Sequence, residues 1–147
     1  MKPEKTMSEF LTKYRGFLGG VMKWDDLSAL WQQIRLQPDS RWYIYAIGET
    51  VPESPASDAQ LSQFIDSIDR LLREEHEHDY CGIVYVDDAT TPTFVKIYDP
   101  NNLGVVCGYS DNPPLPGWVM SQQAPIDLQQ AFPPPANRKR WWRRIFS

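Results

Sequence analysis

Three short runs of β-branched and aromatic residues follow one another along the chain, separated only by short polar turns. The runs cover residues 80–86, 94–98 and 103–109, and their composition is typical of β-strands. The turns between them are rich in Asp, Asn, Thr and Pro, residues that favour chain reversal. A connection between parallel strands needs about a dozen residues or more, so these short turns predict an antiparallel meander.

Helical patterns precede the meander, and the clearest of them starts at a capping box. Ser57 and Gln60 have the spacing that the reciprocal hydrogen bonds of this motif require. The apolar residues that follow fall on one helical stripe: Leu61, Phe64, Ile65, Ile68 and Leu72. Similar spacing predicts helices over 8–19 and 25–37, and an aromatic, β-branched run predicts a further strand over 41–47.

The element order α-α-β-α-β-β-β predicts a single α+β domain. We expect a four-stranded, mostly antiparallel sheet with helices mainly on one face, in which the strand over 41–47 joins either edge. The segment 117–121 is predicted to pack on the sheet as an edge strand, and 126–132 to form a short helical turn. Proline content then rises, which divides the chain into a globular domain (1–132) and a proline spacer with a basic tail (133–147).

The composition excludes several classes of protein. The chain has 147 residues, 41% of them hydrophobic, enough for one domain with its own core. No apolar run approaches the roughly 18 residues of a membrane span, and the polar N-terminus does not resemble a secretory signal. Two cysteines are too few for a disulfide framework. We therefore expect a bacterial or cytosolic protein that is cytoplasmic and keeps its thiols reduced.

The charge of the chain is unevenly distributed. The net charge is −4, from 15 basic and 19 acidic residues. Five of the basic residues lie in the last ten positions: Arg138, Lys139, Arg140, Arg143 and Arg144. Residues 1–137 therefore hold 10 basic and 19 acidic groups, a charge of −9. Such an acidic body repels phosphate backbones and anionic membranes, so any binding of anions belongs to the tail.

The tail interleaves these cations with Trp141, Trp142 and other apolar residues, and in composition it is similar to cationic membrane peptides. Each basic group near an anionic leaflet contributes about 1 kcal/mol, and tryptophan favours the headgroup region. The same residues are suited to stacking on single-stranded nucleic acid or to an acidic groove on a protein partner. A further alternative is that the tail docks on its own acidic domain. The sequence leaves these four alternatives open.

A cluster of histidines and acids is the candidate for metal binding or acid–base chemistry. His76 and His78 are two residues apart, which points them away from each other on a helix and together only on an extended chain. The predicted meander brings the start of its first strand to the same end of the sheet as the turn after its second. The metal-binding hypothesis therefore names His76, His78, Asp79 and Asp99, with Asn101 and Asn102 nearby. The alternative is a solvated helix end.

Two cysteines and an acidic pair complete the candidates. Cys81 and Cys107 fall on the outer strands of the meander, roughly 10 Å apart and beyond disulfide reach. They are expected to behave as small buried hydrophobes; the alternatives are a catalytic cysteine assisted by His76 or His78, or a transient redox pair. Asp87 and Asp88 are expected to be turn residues.

No catalytic motif is present in the sequence, so binding is the predicted activity. We expect a non-catalytic accessory or adaptor protein that contacts a protein partner or an anionic membrane surface, nucleic acid being a weaker candidate. The predicted contacts are exposed aromatics, with Tyr43 and Tyr45 sharing one face of their strand, and the basic tail. The localisation is cytoplasmic, with peripheral attachment to the inner membrane surface as an option. No cofactor is predicted; the alternative is a small enzyme or metal-binding protein that uses the histidine cluster.

Overall fold

The computed structural model describes residues 8–37, 41–101 and 115–132. In chain order the elements are α1 (Glu9–Arg15), β1 (Gly19–Val21), α2 (Trp24–Leu36), β2 (Tyr43–Ala46), α3 (Asp58–Glu75), β3 (Val84–Val86), β4 (Phe94–Ile97), β5 (Trp118–Ser121) and α4 (Leu128–Ala131). They form one α+β domain, the fold class that the sequence predicts. The predicted strand over 103–109 and the predicted spacer and tail over 133–147 lie outside the described residues.

The longest helix, α3, begins at the capping box that the sequence predicts. Ser57 Oγ accepts a hydrogen bond from Gln60 N at 3.1 Å, and Gln60 Oε1 accepts one from Ser57 N at 2.8 Å. Three residues of the predicted apolar stripe are buried: Ile65, Ile68 and Leu72. Local hydrogen bonds and the apolar stripe therefore agree on where this helix starts and which side faces the sheet.

The first helix is shorter than the predicted 8–19, and a strand follows it. The helix starts at its predicted cap, where Ser8 Oγ accepts a backbone N–H of the first turn at 3.0 Å, but it ends before Gly16. The chain then pairs with β3 as β1. A Cβ on Gly20 would lie 3.3 Å from Tyr85 Cε2. The Tyr85 ring on the neighbouring strand β3 therefore leaves little room for a side chain at position 20.

The strands form an antiparallel sheet in the order β1-β3-β4-β5-β2. The predicted hairpin of β3 and β4 is confirmed, with Val84 opposite Ile97, and β2 takes one edge. Two details of the prediction are wrong: the sheet has five described strands rather than four, and β5 lies inside the sheet rather than at an edge. An interior position is available because Pro116 and Pro125 stand outside the paired residues, so every residue of β5 keeps its N–H.

Alternating side chains of the strands build two cores, one on each face of the sheet. The first core packs α2 and α3 on the sheet and includes Leu27, Leu30, Ile65, Leu72, Val95 and Ile97. The second core packs α1 and α4 on the opposite face and contains Phe10, Tyr14, Tyr45, Phe94, Val119 and Leu128. The two long helices thus share one face, as predicted, while two short helices cover the other.

Candidate functional site

The predicted contact residues of the tail lie outside the described part of the chain: Arg138, Lys139, Arg140, Trp141, Trp142, Arg143 and Arg144. Their role in binding stays a prediction. The described chain ends at Phe132, whose ring centroid is 5.6 Å from that of Tyr14 and 5.1 Å from the Arg15 guanidinium. The described chain therefore ends beside the C-terminal end of α1. Of the helices described, none has the length and apolar character to cross a bilayer.

The two histidines lie side by side immediately after α3. Their ring centroids are 4.6 Å apart, and the backbone at His76 is extended, the condition under which their spacing brings them together. His76 is buried and its ring centroid lies 6.3 Å from that of Trp24, whereas His78 and Asp79 are exposed. The sequence therefore predicted the location of the pair but not the burial of one member.

Among the described residues, no third side chain joins the histidine pair to complete a metal site. Asp99 Oδ1 accepts a hydrogen bond from Asn101 N at 2.9 Å, within its own turn, and the Cβ of Asp99 packs beside Gly117. Across residues 8–37, 41–101 and 115–132, no three His, Cys, Asp or Glu side chains form a group that could hold a metal ion. His76, His78, Asp79 and Asp99 are therefore not assembled into one site; Asn102 lies outside the described residues.

Replacing His76 with leucine is expected to leave the free energy of unfolding unchanged or to raise it. His76 Nε2 is buried and has no hydrogen-bond partner in the described structure, so nothing offsets its loss of water. Leucine removes that polar atom while keeping an apolar contact with Trp24. Urea unfolding of His76→Leu, with the exposed His78→Leu as the matched control, measures the effect. A loss of more than about 1 kcal/mol would mean that the imidazole has a partner, such as a metal ion.

The position of Cys81 argues against nucleophilic catalysis. This residue is fully buried in the first core, and burial raises the pKa of its thiol above the ordinary value. A thiolate is the reactive form, and a raised pKa disfavours it. Cys81 therefore fits the predicted role of a small hydrophobe; Cys107 lies outside the described residues.

A lysine and three tyrosines form a polar, aromatic cluster beside α1. Lys96 Nζ lies 3.8 Å from the centroid of the Tyr14 ring, and the rings of Tyr85 and Tyr98 meet edge to face at 5.8 Å. Burial lowers the pKa of Lys96 and raises the pKa of both Tyr14 and Tyr98. A tyrosine that acts as a base needs its pKa brought down toward neutrality, so the raised pKa values disfavour Tyr14 and Tyr98 as bases. The contact between Lys96 and the Tyr14 ring has the geometry of a cation–π interaction.

The predicted aromatic face of β2 is not an exposed surface. Tyr45 is buried in the second core, where its hydroxyl oxygen accepts a hydrogen bond from Leu128 N at 3.2 Å. Trp42, which precedes β2, is buried in the first core, and Tyr43 is half-buried. Trp42 and Tyr45 therefore belong to the two cores, while the remaining residues of β2 are partly exposed.

Exposed apolar side chains gather instead at the edge formed by β1. Phe17 is 88% exposed, Met22 52% and Tyr80 50%. The Met22 and Tyr80 side chains both approach Gly82, and Met22 O accepts a hydrogen bond from Cys81 N at 2.7 Å. Strand β1 pairs with β3 on one side and with no other strand of the described chain on its outer side. Such an edge combines apolar side chains with unpaired backbone groups.

A groove of about 390 Å³ runs beside this edge. We call it the β1 groove; its apolar residues include Phe17, Val21, Met22, Leu30 and Val86, and its acidic residues are Asp26 and Asp87. A second, more polar recess of about 470 Å³ adjoins it and shares Phe17 and Asp87. That recess adds Lys13 and Asp88 to the charged groups around Phe17.

Asp87 lies between the groove and the recess and lines both of them. Its carboxylate accepts hydrogen bonds from Thr93 Oγ1 at 2.6 Å, from the Thr93 and Phe94 amides at 2.9 and 3.0 Å, and from Lys13 Nζ at 3.0 Å. Partial burial acts to raise the pKa of Asp87, but these hydrogen bonds outweigh it and the pKa is lowered. Hydrogen bonds from two backbone amides of the same loop also lower the pKa of Asp88. Both carboxylates are therefore charged at neutral pH.

Sequence reasoning missed the β1 groove because its local pattern indicated a helix. Phe17 follows the apolar spacing of α1, and two glycines are a common helix stop. Only the pairing of β1 with a strand more than sixty residues later reveals an edge. Comparison of the chain with protein-family models, with curated proteins and with solved structures gives no match. The chemistry of these side chains is therefore the basis on which a function can be inferred.

Proposed function

We propose that this protein is a non-catalytic binding module of accessory or adaptor type, and that its β1 groove takes a short cationic and apolar segment of a protein partner. The exposure of Phe17 beside the free edge of β1 carries the proposal. An aromatic side chain held in water next to an apolar groove is typical of a contact surface. A short segment lying there would gain apolar contacts with Phe17 and Met22 and hydrogen bonds to the outer side of β1.

The charges around the groove favour a positively charged segment. Among the described residues that line the groove and the recess, Asp26, Asp87 and Asp88 contribute three carboxylates, against one ammonium group, that of Lys13. Residues 1–137 as a whole carry a charge of −9, which adds a long-range attraction for cations. Complementary charge of this kind raises the rate of association and selects among partners.

Replacing Phe17 with serine is expected to weaken the binding of a cationic, apolar peptide by about tenfold or more. The probe is a synthetic ten-residue peptide that alternates arginine with valine and tryptophan. It is titrated into ¹⁵N-labelled full chains in which Trp141 and Trp142 are replaced by serine, with and without Phe17→Ser, so that the basic tail does not compete for the groove. Its Kd is read from the amide signals of Gly19, Gly20 and Val21. Burying a phenylalanine side chain contributes about 1.5–3 kcal/mol, which corresponds to roughly a tenfold to hundredfold change in Kd.

The matched control is Leu36→Ser. Leu36 is 70% exposed and lies at the C-terminal end of α2, while the groove residue Asp26 lies in the first turn of that helix. In the same Trp141→Ser, Trp142→Ser background, this variant should leave the affinity for the peptide unchanged, and a peptide with glutamate in place of arginine should bind neither protein. Equal weakening by the two substitutions, or equal binding of the acidic peptide, would contradict the proposal.

A further inference from the structure

We infer that the groove has an occupant within the chain itself: residues 138–146 fold back into the β1 groove of the same molecule, and a partner must displace them. This inference rests on the proposed function, because it names a segment that the same groove takes. It also selects one of the four alternatives that the tail's composition leaves open. Three observations support it: where the described chain ends, the charge of the two surfaces, and their apolar content.

The described chain ends close to the groove. The Phe132 ring packs on Tyr14 and under the guanidinium of Arg15, and Arg15 is only two residues from Phe17. Two residues of chain span at most about 7 Å. The spacer 133–137 begins with three prolines, and five residues in an extended, proline-type conformation span about 15 Å. The tail can therefore reach the groove without any rearrangement of the domain.

The segment and the groove are complementary in charge and in apolar character. Residues 138–146 carry five basic groups and no acidic one. Their remaining four residues are large and apolar: Trp141, Trp142, Ile145 and Phe146. The groove offers exposed apolar surface from Phe17 and Met22 above the buried side chains of Val21, Leu30 and Val86, with carboxylates on its border. No other stretch of the sequence combines this density of cations with two adjacent tryptophans.

Attachment to the same chain makes even a weak contact effective. A short linker gives an effective concentration on the order of 1 mM. If the free segment binds with a Kd of about 10–100 μM, the tethered segment fills the groove in roughly nine molecules of ten or more. It then weakens the binding of any competing peptide by about 10- to 100-fold. The groove would thus open to partners that compete with the tail or that capture it.

The test compares the full-length wild type with the full-length double variant Trp141→Ser, Trp142→Ser. We expect the amide signals of Gly19, Gly20 and Val21 to differ between the two proteins. A synthetic peptide of residues 138–147, added to the variant, should return these signals toward their wild-type positions. The alternating arginine peptide should bind the variant about 10- to 100-fold more tightly than it binds the wild type. Leu36→Ser, with an intact tail, should bind that peptide as the wild type does.

The outcomes separate this inference from the proposed function. Equal affinity of wild type and double variant for the arginine peptide would overturn the inference and leave the proposed function standing. Failure of the variant to bind any cationic peptide would overturn both. Changes at β1 that grow with protein concentration would assign the groove to the tail of a second copy. Binding of the wild type to phosphatidylglycerol vesicles, with identical β1 signals in both proteins, would assign the tail to a membrane surface. Each of these last two results, a second copy's tail in the groove or a tail bound to the membrane, overturns the inference.

Discussion

Replacing Phe94 with alanine is expected to lower the free energy of unfolding by about 3–5 kcal/mol. Phe94 is fully buried, and its ring centroid lies 5.2 Å from that of Phe10 and 6.4 Å from that of Tyr14. These two residues are the buried ones of α1, so the substitution removes the surface on which α1 docks. A loss of this size is a large part of the roughly 5–15 kcal/mol that stabilises a typical domain. Urea unfolding measures it.

Leu72→Ala is the matched control, because it empties a similar volume in the other core. Leu72 is fully buried between α3 and the sheet, and its truncation costs about 2–5 kcal/mol. Only Phe94→Ala should also weaken peptide binding, since Phe17 follows α1 by two residues and depends on its docking. If Phe94→Ala does not fold, Phe94→Leu tests the same dependence at a smaller cost. Equal peptide binding by the Phe94 and Leu72 variants would contradict this link between core and groove.

Elements specified by local interactions were predictable from the sequence. The helix α3 combines a capping box at Ser57 with a continuous apolar stripe, so two independent local signals agree. The hairpin of β3 and β4 was predictable because a short turn leaves antiparallel pairing as the available connection. The α+β class follows from these elements without knowledge of the order of the remaining strands.

Elements specified by distant pairing were not predictable. Strand β1 has three residues, two of them glycine, and glycine carries no strand propensity of its own. Its pairing with β3 becomes visible only in the folded chain. Strand β5 was expected at an edge, yet it lies inside the sheet, where Pro116 and Pro125 stand just beyond its ladder. Its place between β4 and β2 depends on contacts across most of the chain.

One part of the candidate site was predictable from the sequence, and the other part depends on the fold. Composition alone singles out the tail, because five cations beside Trp141 and Trp142 stand out against an acidic body. The groove is a tertiary feature, built from α1, β1, α2 and the loop after β3. No short sequence pattern predicts it. Likewise the closeness of His76 and His78 follows from their spacing on an extended chain, but the absence of a third ligand among the described residues depends on the fold.

Replacing Asp87 with asparagine is expected to lower the free energy of unfolding at neutral pH by about 2–3 kcal/mol. The Asp87 side chain is 12% exposed and accepts four hydrogen bonds, one of them from the charged Lys13 ammonium. Asparagine keeps one acceptor oxygen but directs an NH₂ group at donors of Thr93, Phe94 or Lys13. Asp88→Asn is the matched control, since Asp88 is exposed and accepts its hydrogen bonds from Thr90 and Thr91 of its own loop; its cost should stay below about 0.5–1 kcal/mol.

The stabilisation from Asp87 should also disappear in acid. Its pKa is lowered in the folded protein, so the unfolded chain takes up the proton first as the pH falls. The contribution is therefore fully present above the ordinary carboxyl pKa of about 3.9 and is lost as the pH falls through the lower pKa of the folded state. Urea midpoints of wild type and Asp87→Asn should differ at pH 7, begin to converge below about pH 4 and meet below the lowered pKa of the folded state. A difference that persists unchanged at pH 3 would mean that Asp87 acts through packing and not through its charge. In that case the ion pair between Lys13 and Asp87, which lies at the border of the groove, would contribute nothing to stability.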